Sequence, residues 1–155
     1  MDPKAKNYLD NFLSSLPAED QLRKAAADSY YFCSDEDSAN HLADLVVQGE
    51  KRATASLLWS YEADNDPLPE VGQLSVITNW EGEPQCIVGV TEVEIKPYNE
   101  VTAEFAFIEG EGDKSLEYWR RVHWEFFSTE CEEIGRDPTE DMPVVLEKFM
   151  VRWKE

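Results

Sequence analysis

The stretch His41–Glu62, HLADLVVQGEKRATASLLWSYE, contains the point where the chain changes from helical to extended sequence. Its first half continues an amphipathic helix that can be capped at residues 34–35 and ends near Gln48. Gly49 follows as the usual helix stop. From there Thr54–Trp59 is rich in residues that favour strands, and it is predicted to be the first strand of a sheet.

Working outward, the order of elements predicts the fold class. Helices, strands, one further helix and a final strand follow one another without a βαβ alternation, which predicts an α+β fold with a small curled or closed sheet and helices packed on it. We expect one domain over residues 1–155, with residues 1–33 as a helical extension. The elements predicted are helices at 3–16 and 18–28, strands at 72–79 and 85–95, a short helix at 102–108, a long helix from about 113 to 135, and a closing strand at 144–153.

Charge is the most unusual feature of the composition. The chain has 33 acidic against 14 basic residues and a formal net charge of −19. Nonspecific nucleic-acid binding depends on Lys and Arg neutralising phosphates, so we expect the chain to repel long RNA and not to bind DNA. A local basic mouth could still bind a nucleoside or a short RNA strand, and the acidity could equally serve only solubility.

The cysteines and histidines give no metal-site pattern. Cys33, Cys86 and Cys131 are widely separated, and there are two histidines in all. The expectation is therefore a reduced cytoplasmic protein with no metal and no cofactor. No apolar run approaches the roughly 18 residues that a membrane span needs, so no membrane partner is expected. The sequence does not decide the oligomeric state and is compatible with a homodimer.

The turn after Gly49 is the first segment that suggests chemistry. Lys51 and Arg52 place two cations beside the hydroxyls of Thr54 and Ser56, a set that can hold an anionic or carbonyl oxygen. A buried lysine can also act as a base, because burial lowers the pKa of a lysine side chain. The alternative is that both cations only complement the negative end of the preceding helix.

The second such segment surrounds a glycine-flexed turn. Glu109 lies between an apolar stretch and this turn, where partial burial would raise the pKa of its carboxyl, although it could be an ordinary loop residue. Glu111 is expected to face solvent. His123 lies on the apolar stripe of the long helix, as a core histidine or as a catalytic one. Arg120 and Arg121 could form an anion-binding rim or be solvated.

Aromatic residues lie in or next to the polar loops. Nucleobases stack on such rings with about 1–3 kcal/mol per base, but aromatic rings also fill cores. Trp59, Tyr61 and Trp80 are candidates for a ligand wall, and Trp119 is assigned to the core. In the closing strand, Glu147 interrupts an otherwise apolar inward row.

Two runs of sequence together resemble the ASCH family. They are His41–Glu62, with its G-x-K-x-x-T core, and TAEFAFIEGEGDKSLEYWRRVHWEFF at 102–127, with its A-x-x-E-G turn. The resemblance covers roughly residues 42–153. It implies a PUA-like β-barrel with a cleft lined by the helix-to-strand turn, and a role connected with RNA or nucleosides. The N-terminal helices and the long connection Trp59–Gly72 depart from the short members and could reshape this cleft.

The resemblance also implies site residues. Short bacterial members are amidohydrolases that remove the acetyl group of N4-acetylcytidine with a lysine, a threonine and a glutamate, which correspond here to Lys51, Thr54 and Glu109. Longer members have been linked to ribonuclease activity, in which the lysine acts with a serine on or near the long helix. Ser128 is the counterpart of that serine.

Three functions therefore remain open. The first is a nucleoside amidohydrolase, which suits an acidic chain because a nucleoside carries no phosphate. The second is a ribonuclease, in which Lys51 contacts phosphate together with Arg52, Arg120 and Arg121. The third is a non-catalytic module that binds RNA or a modified nucleotide.

Overall fold

The structure, a computed structural model, describes residues 1–154. Helices and strands alternate irregularly along the chain. In chain order they are α1 (Pro3–Ser14), β1 (Ala27–Tyr30), α2 (Glu36–Val47), β2 (Ala53–Leu57), α3 (Leu58–Asp64), β3 (Leu74–Thr78), β4 (Pro84–Pro97), α4 (Ala103–Glu109), α5 (Leu116–Glu133) and β5 (Pro143–Trp153), with short 3₁₀ turns at Gln21–Lys24 and Tyr98–Glu100.

The strands form a sheet in the order β1-β3-β4-β5-β2. β1 pairs in parallel with β3, which pairs antiparallel with β4. β2 pairs antiparallel with β5, in a register that runs from Ala53 opposite Lys148 to Leu57 opposite Val144. The predicted α+β class is confirmed.

The prediction of a helix at residues 18–28 is wrong. The Asp20 side chain accepts a hydrogen bond from the Leu22 amide and caps a single 3₁₀ turn, after which the chain becomes extended. Residues 27–30 then pair with β3, and the Leu74 amide donates to the Ala26 carbonyl at 2.9 Å. Pairing with a strand distant in sequence has overridden the local helix propensity, which is a weak determinant.

The strand predicted at 54–59 ends two residues early. Leu57 is its last residue, and α3 begins at Leu58, so the connection expected from Trp59 to Gly72 begins as a helix. Asn65 ends this helix with a φ of 54°, a left-handed conformation that asparagine tolerates better than most residues. The remaining predicted helices and strands are confirmed, with ends shifted by a few residues.

Two compact units divide the described chain. The first comprises Met1–Lys51, Glu70–Thr91 and the chain from Phe149, and the second comprises Arg52–Pro69 and Glu92–Lys148. In the first unit, α2 packs on Ile77 and Val88, and α1 packs on Val76 and Ile87. In the second unit, α4 and α5 form a core with β2 and β5. Its buried residues include Phe105, Trp119, Phe127, Leu57 and Leu146. Within residues 1–154, no helix is long and apolar enough to cross a membrane.

Candidate functional site

Glu109 and His123 form a buried pair in the second unit. Glu109 is the last residue of α4, which Gly110 ends with a φ of 74°, and it is 0% exposed. His123 lies on the inner face of α5 and is 9% exposed. The His123 Nε2 and Glu109 Oε2 atoms are 3.3 Å apart. A carboxylate and an imidazole thus meet at the end of a helix that a glycine terminates. The sequence was compatible with this contact but did not predict it.

The orientation of the His123 ring is held from two sides. Its Nδ1 lies 2.8 Å from the Trp119 carbonyl oxygen, one turn earlier in α5. Because a carbonyl can only accept, Nδ1 carries the proton and Nε2 is directed at Glu109. The ring also stacks on the Trp119 indole, with centroids 4.2 Å apart and planes 16° apart. Trp119 is buried in the core, as predicted.

Opposing effects act on the His123 imidazole. Burial lowers its pKa, but the negative charges of Glu109 and Glu111 and the hydrogen bonds to Glu109 and the Trp119 carbonyl raise it, and the net direction is upward. The protonated ring is therefore favoured beside the carboxylates, relative to a free histidine.

Glu111 belongs to the same cluster, contrary to the expectation that it faces solvent. It is half-buried, and its carboxylate, the Glu109 carboxylate and a His123 ring nitrogen each place one atom within 4.8 Å of the others. The chain can turn this sharply because Gly110 and Gly112 both have positive φ, at 74° and 58°. The ring of Tyr118 occupies the place of a side chain at Gly112, so a larger residue does not fit there.

A backbone hydrogen bond joins the start of β2 to the end of α4. The Arg52 amide donates to the Ile108 carbonyl at 2.9 Å, one residue before Glu109. The Arg52 side chain itself is exposed. The two sequence segments that carry the family motifs are thus adjacent at the level of the main chain.

Thr54 and Ser56 lie on one face of β2. Ala53 and Leu57 are buried in the core on α4 and α5, and because strand side chains alternate, the two hydroxyls face the other way. Thr54 is paired in register with Glu147 of β5, which is only 9% exposed. The sequence showed that Glu147 interrupts the apolar row of β5, but not that it lies opposite Thr54.

Lys51 is buried in the first unit, at 1% exposure. Its amide donates to the Leu45 carbonyl at the end of α2, and its ammonium group lies 5.0 Å from the centre of the Phe32 ring. The Lys51 side chain is directed inward, whereas that of Arg52 is exposed. A buried lysine is costly without compensating contacts, so such a position indicates a specific role.

The predicted aromatic wall is distributed over different elements. Trp59 and Tyr61 lie on α3 and are half-buried, and the Arg136 guanidinium sits 4.5 Å from the centre of the Trp59 ring. Trp80 follows β3 in the first unit, where it contacts the exposed ring of Tyr31 at 5.0 Å. Trp59 is therefore better explained as part of the packing around α5 than as an open ligand wall.

The remaining predicted residues lie along α5. The carbonyl of Arg120 accepts a hydrogen bond from the Tyr98 hydroxyl, while the Arg121 guanidinium lies 5.4 Å from the Tyr118 ring. Both arginine side chains are exposed, which is compatible with an anion-binding rim and with simple solvation. The Ser128 hydroxyl oxygen is buried, and among residues 1–154 it has no hydrogen-bond partner.

Comparison with known proteins identifies the family. The sequence model of the ASCH domain matches residues 28–152. The chain belongs to the ASCH family. Among curated proteins, no relative matches this ASCH chain.

Two solved structures show that the similarity extends to the fold. An ASCH domain from Lactobacillus crispatus JV V101 is 45% identical, with a TM-score of 0.93 over 97% of this chain and 95% of that one. The protein EF3133 from Enterococcus faecalis V583 is 31% identical, with a TM-score of 0.83 over 97% and 89% of the two chains. The ASCH resemblance and the α+β, PUA-like fold are both confirmed.

Glu130, on α5 and away from this cluster, has a carboxyl group with a perturbed pKa. The Ser60 hydroxyl donates to Glu130 Oε2 at 2.5 Å. Burial raises the pKa of Glu130 above its ordinary value of 4.5, the hydrogen bond from Ser60 lowers it, and nearby Glu133 and Asp64 raise it further, with a net upward direction.

We expect Glu130→Gln to stabilise the protein at neutral pH. Because the folded-state pKa of Glu130 is raised, folding favours the protonated carboxyl. Stability is therefore lost as the pH rises from the ordinary pKa of 4.5 through the folded-state pKa. The glutamine keeps an acceptor for Ser60 and has no charge to bury. Thermal melts from pH 4 to pH 8 should show that the melting temperature of the variant increases relative to that of the wild type as the pH rises. Glu125→Gln, at an exposed position on the same helix, serves as the control, and a constant difference across this range would contradict the assignment.

Proposed function

We propose that this ASCH protein hydrolyses the acyl amide of an N4-acylated cytidine, with Lys51, Thr54 and Glu109 carrying the reaction. The observation that supports this most is the burial of Glu109 at 3.3 Å from His123, on the A-x-x-E-G turn of an ASCH chain. A carboxylate placed in this way can relay a proton from the imidazole to a leaving amine.

The hydroxyl for the reaction comes from β2. Thr54 is half-buried on the strand face opposite the core, so its Oγ1 is available to attack a carbonyl carbon or to position a water that does so. Lys51 precedes it by three residues in the K-x-x-T motif and is buried. Its amine, when neutral, takes the hydroxyl proton.

The bonds made and broken are those of amide hydrolysis. Attack of the Thr54 oxygen on the acyl carbon gives an acyl ester and breaks the bond to the exocyclic nitrogen of cytosine. Glu109 relays a proton from the adjacent His123 imidazolium to that nitrogen as it leaves. Water then hydrolyses the ester to the free acid, and the proton held by Lys51 returns to the Thr54 oxygen. The backbone bond between Arg52 and Ile108 supports this scheme because it joins the strand that bears Thr54 to the helix that bears Glu109.

The charge of the chain favours a nucleoside over a polynucleotide. At a net charge of −19, a ligand without phosphates meets no long-range repulsion, whereas an RNA strand does. A ribonuclease would depend on the exposed Arg120 and Arg121 for its phosphate contacts. Ribonuclease activity and binding without turnover are the outcomes that the experiment must separate from amide hydrolysis.

The test uses the purified full chain with two substrates. N4-acetylcytidine is followed by chromatographic release of cytidine, and a short labelled RNA is followed by gel. We expect cytidine release by the wild type and a loss of at least about 100-fold in Lys51→Ala, in line with removal of an acid–base group. Lys96→Ala, which alters a surface lysine that contacts Glu94 at 3.5 Å, should keep full activity.

Thermal melts of both variants show whether Lys51→Ala remains folded. Absence of turnover across a panel of acylated cytidines would refute the amidohydrolase. Cleavage of the RNA that weakens steeply with salt would support the ribonuclease instead.

A further inference from the structure

We propose that Glu109, Glu111 and His123 bind a divalent transition-metal ion. The three side chains offer two carboxylates and one imidazole, and one ligand atom from each lies within 4.8 Å of the other two. The sequence could not suggest this site, because the spacing of the three residues matches no ligand motif and the turn at Gly110 and Gly112 brings them together.

The distances suit a small ion. With metal–ligand bonds of about 2.0–2.1 Å, neighbouring ligand atoms in a tetrahedral site lie about 3.3 Å apart. The separation of His123 Nε2 and Glu109 Oε2 is 3.3 Å. The other separations are at most 4.8 Å, so the half-buried Glu111 carboxylate completes the site by moving up to roughly 1.5 Å.

The histidine is oriented as metal ligands usually are. Such histidines donate the hydrogen of their other ring nitrogen to a carbonyl or carboxylate, which sets the tautomer and the direction of the ring. His123 Nδ1 does this with the Trp119 carbonyl at 2.8 Å, and Nε2 is directed at the carboxylates. Stacking on the Trp119 ring at 4.2 Å restricts the ring plane. The orientation of the ring is present before any ion binds, and binding releases the proton that Nε2 carries when the ring is charged.

The donor set selects the class of ion. Imidazole suits zinc and its neighbours in the first transition row, whereas magnesium and calcium prefer sites built entirely from oxygen. Two carboxylates exclude a preference for soft ions such as Cu(I). Zn²⁺ is therefore the expected ion, and three protein ligands leave a position for water or a substrate atom.

Binding of Zn²⁺ to these three residues would affect the amide hydrolysis proposed above. A Glu109 carboxylate bound to a metal ion cannot carry a proton to the leaving amine, so Zn²⁺ should inhibit amide hydrolysis. The metal site does not depend on that function being correct, because binding is measured without substrate.

The experiment titrates Zn²⁺ into chelator-treated full-length protein by calorimetry, and Co²⁺ in parallel by visible absorption. We expect one tight site per chain and at least about a tenfold loss of affinity in both Glu111→Gln and His123→Gln. Glu117→Gln, at an exposed position in the first turn of α5, is the control for nonspecific binding to an acidic surface and should bind like the wild type.

Two results would overturn the site. One is no saturable binding at Zn²⁺ concentrations up to about 1 mM, which corresponds to roughly 4 kcal/mol. The other is equal binding by Glu111→Gln and Glu117→Gln, which would assign the ions to the general negative charge of the surface. Because Glu111 is only half-buried, its variant keeps the test valid even if His123→Gln fails to fold.

Discussion

Glu109→Gln should lower turnover of N4-acetylcytidine by roughly 10²–10⁴-fold, the contribution typical of a general acid–base group. Glutamine has nearly the same shape and can still accept a hydrogen bond from His123, but it cannot deliver a proton to the leaving amine. We expect the loss to appear in kcat, with KM changed little, because in the proposed mechanism the carboxylate acts in the transition state and not in ground-state binding.

The matched control is Glu104→Gln, on the exposed side of the same helix. It removes the same charge from α4 without touching the cluster. Near-normal activity in Glu109→Gln would remove this residue from the mechanism, and so would an equal loss in both variants. A circular dichroism melt for each protein separates loss of chemistry from loss of fold.

The largest expected effect on stability is that of Phe127→Ala. Phe127 is 0% exposed at the centre of the second unit, and its ring lies 5.6 Å from that of His123. Truncating a fully buried phenylalanine costs about 3–5 kcal/mol, through lost transfer free energy and the cavity that remains. For a chain of this length we expect the melting temperature to fall by roughly 10 °C.

Phe126 provides an internal comparison. It is the preceding residue on α5, is 39% exposed, and contacts Phe127 edge to face. Phe126→Ala should cost less than about 1 kcal/mol, as surface substitutions do. Equal destabilisation by the two substitutions in urea unfolding would contradict the assigned inner face of α5.

Features that depend on neighbouring residues could be predicted from the sequence. The Asp35 carboxylate caps α2 by accepting from the Ser38 amide at 2.9 Å, and Ser115 caps α5 in the same way through the Tyr118 amide at 3.1 Å. The hairpin of β3 and β4 is likewise local, with its turn at residues 79–83. Capping residues, helical periodicity and turn residues act over a few positions, so a one-dimensional pattern records them.

Features that depend on residues distant in the sequence could not be predicted from it. Residues 27–30 have no strong preference for a strand and become one because β3 offers them hydrogen bonds. The same limit applied to the site. The motifs identified Lys51, Thr54 and Glu109 as residues of interest, but no local pattern shows what lies beside each of them.

The stretch His41–Glu62 by itself determined the change from helix to strand, and together with residues 102–127 it indicated the family. Both depend on residue identity and short-range periodicity. Tertiary structure alone decided which charges are buried and which groups meet. The turn at Gly110 and the packing of α4 on α5 placed Glu109 at 3.3 Å from His123. The register of β2 on β5 placed Glu147 opposite Thr54. The second pairing joins residues far apart in the sequence, and the first joins consecutive helices through a glycine turn. In both cases the free energy comes from burying a shared core and not from any local propensity.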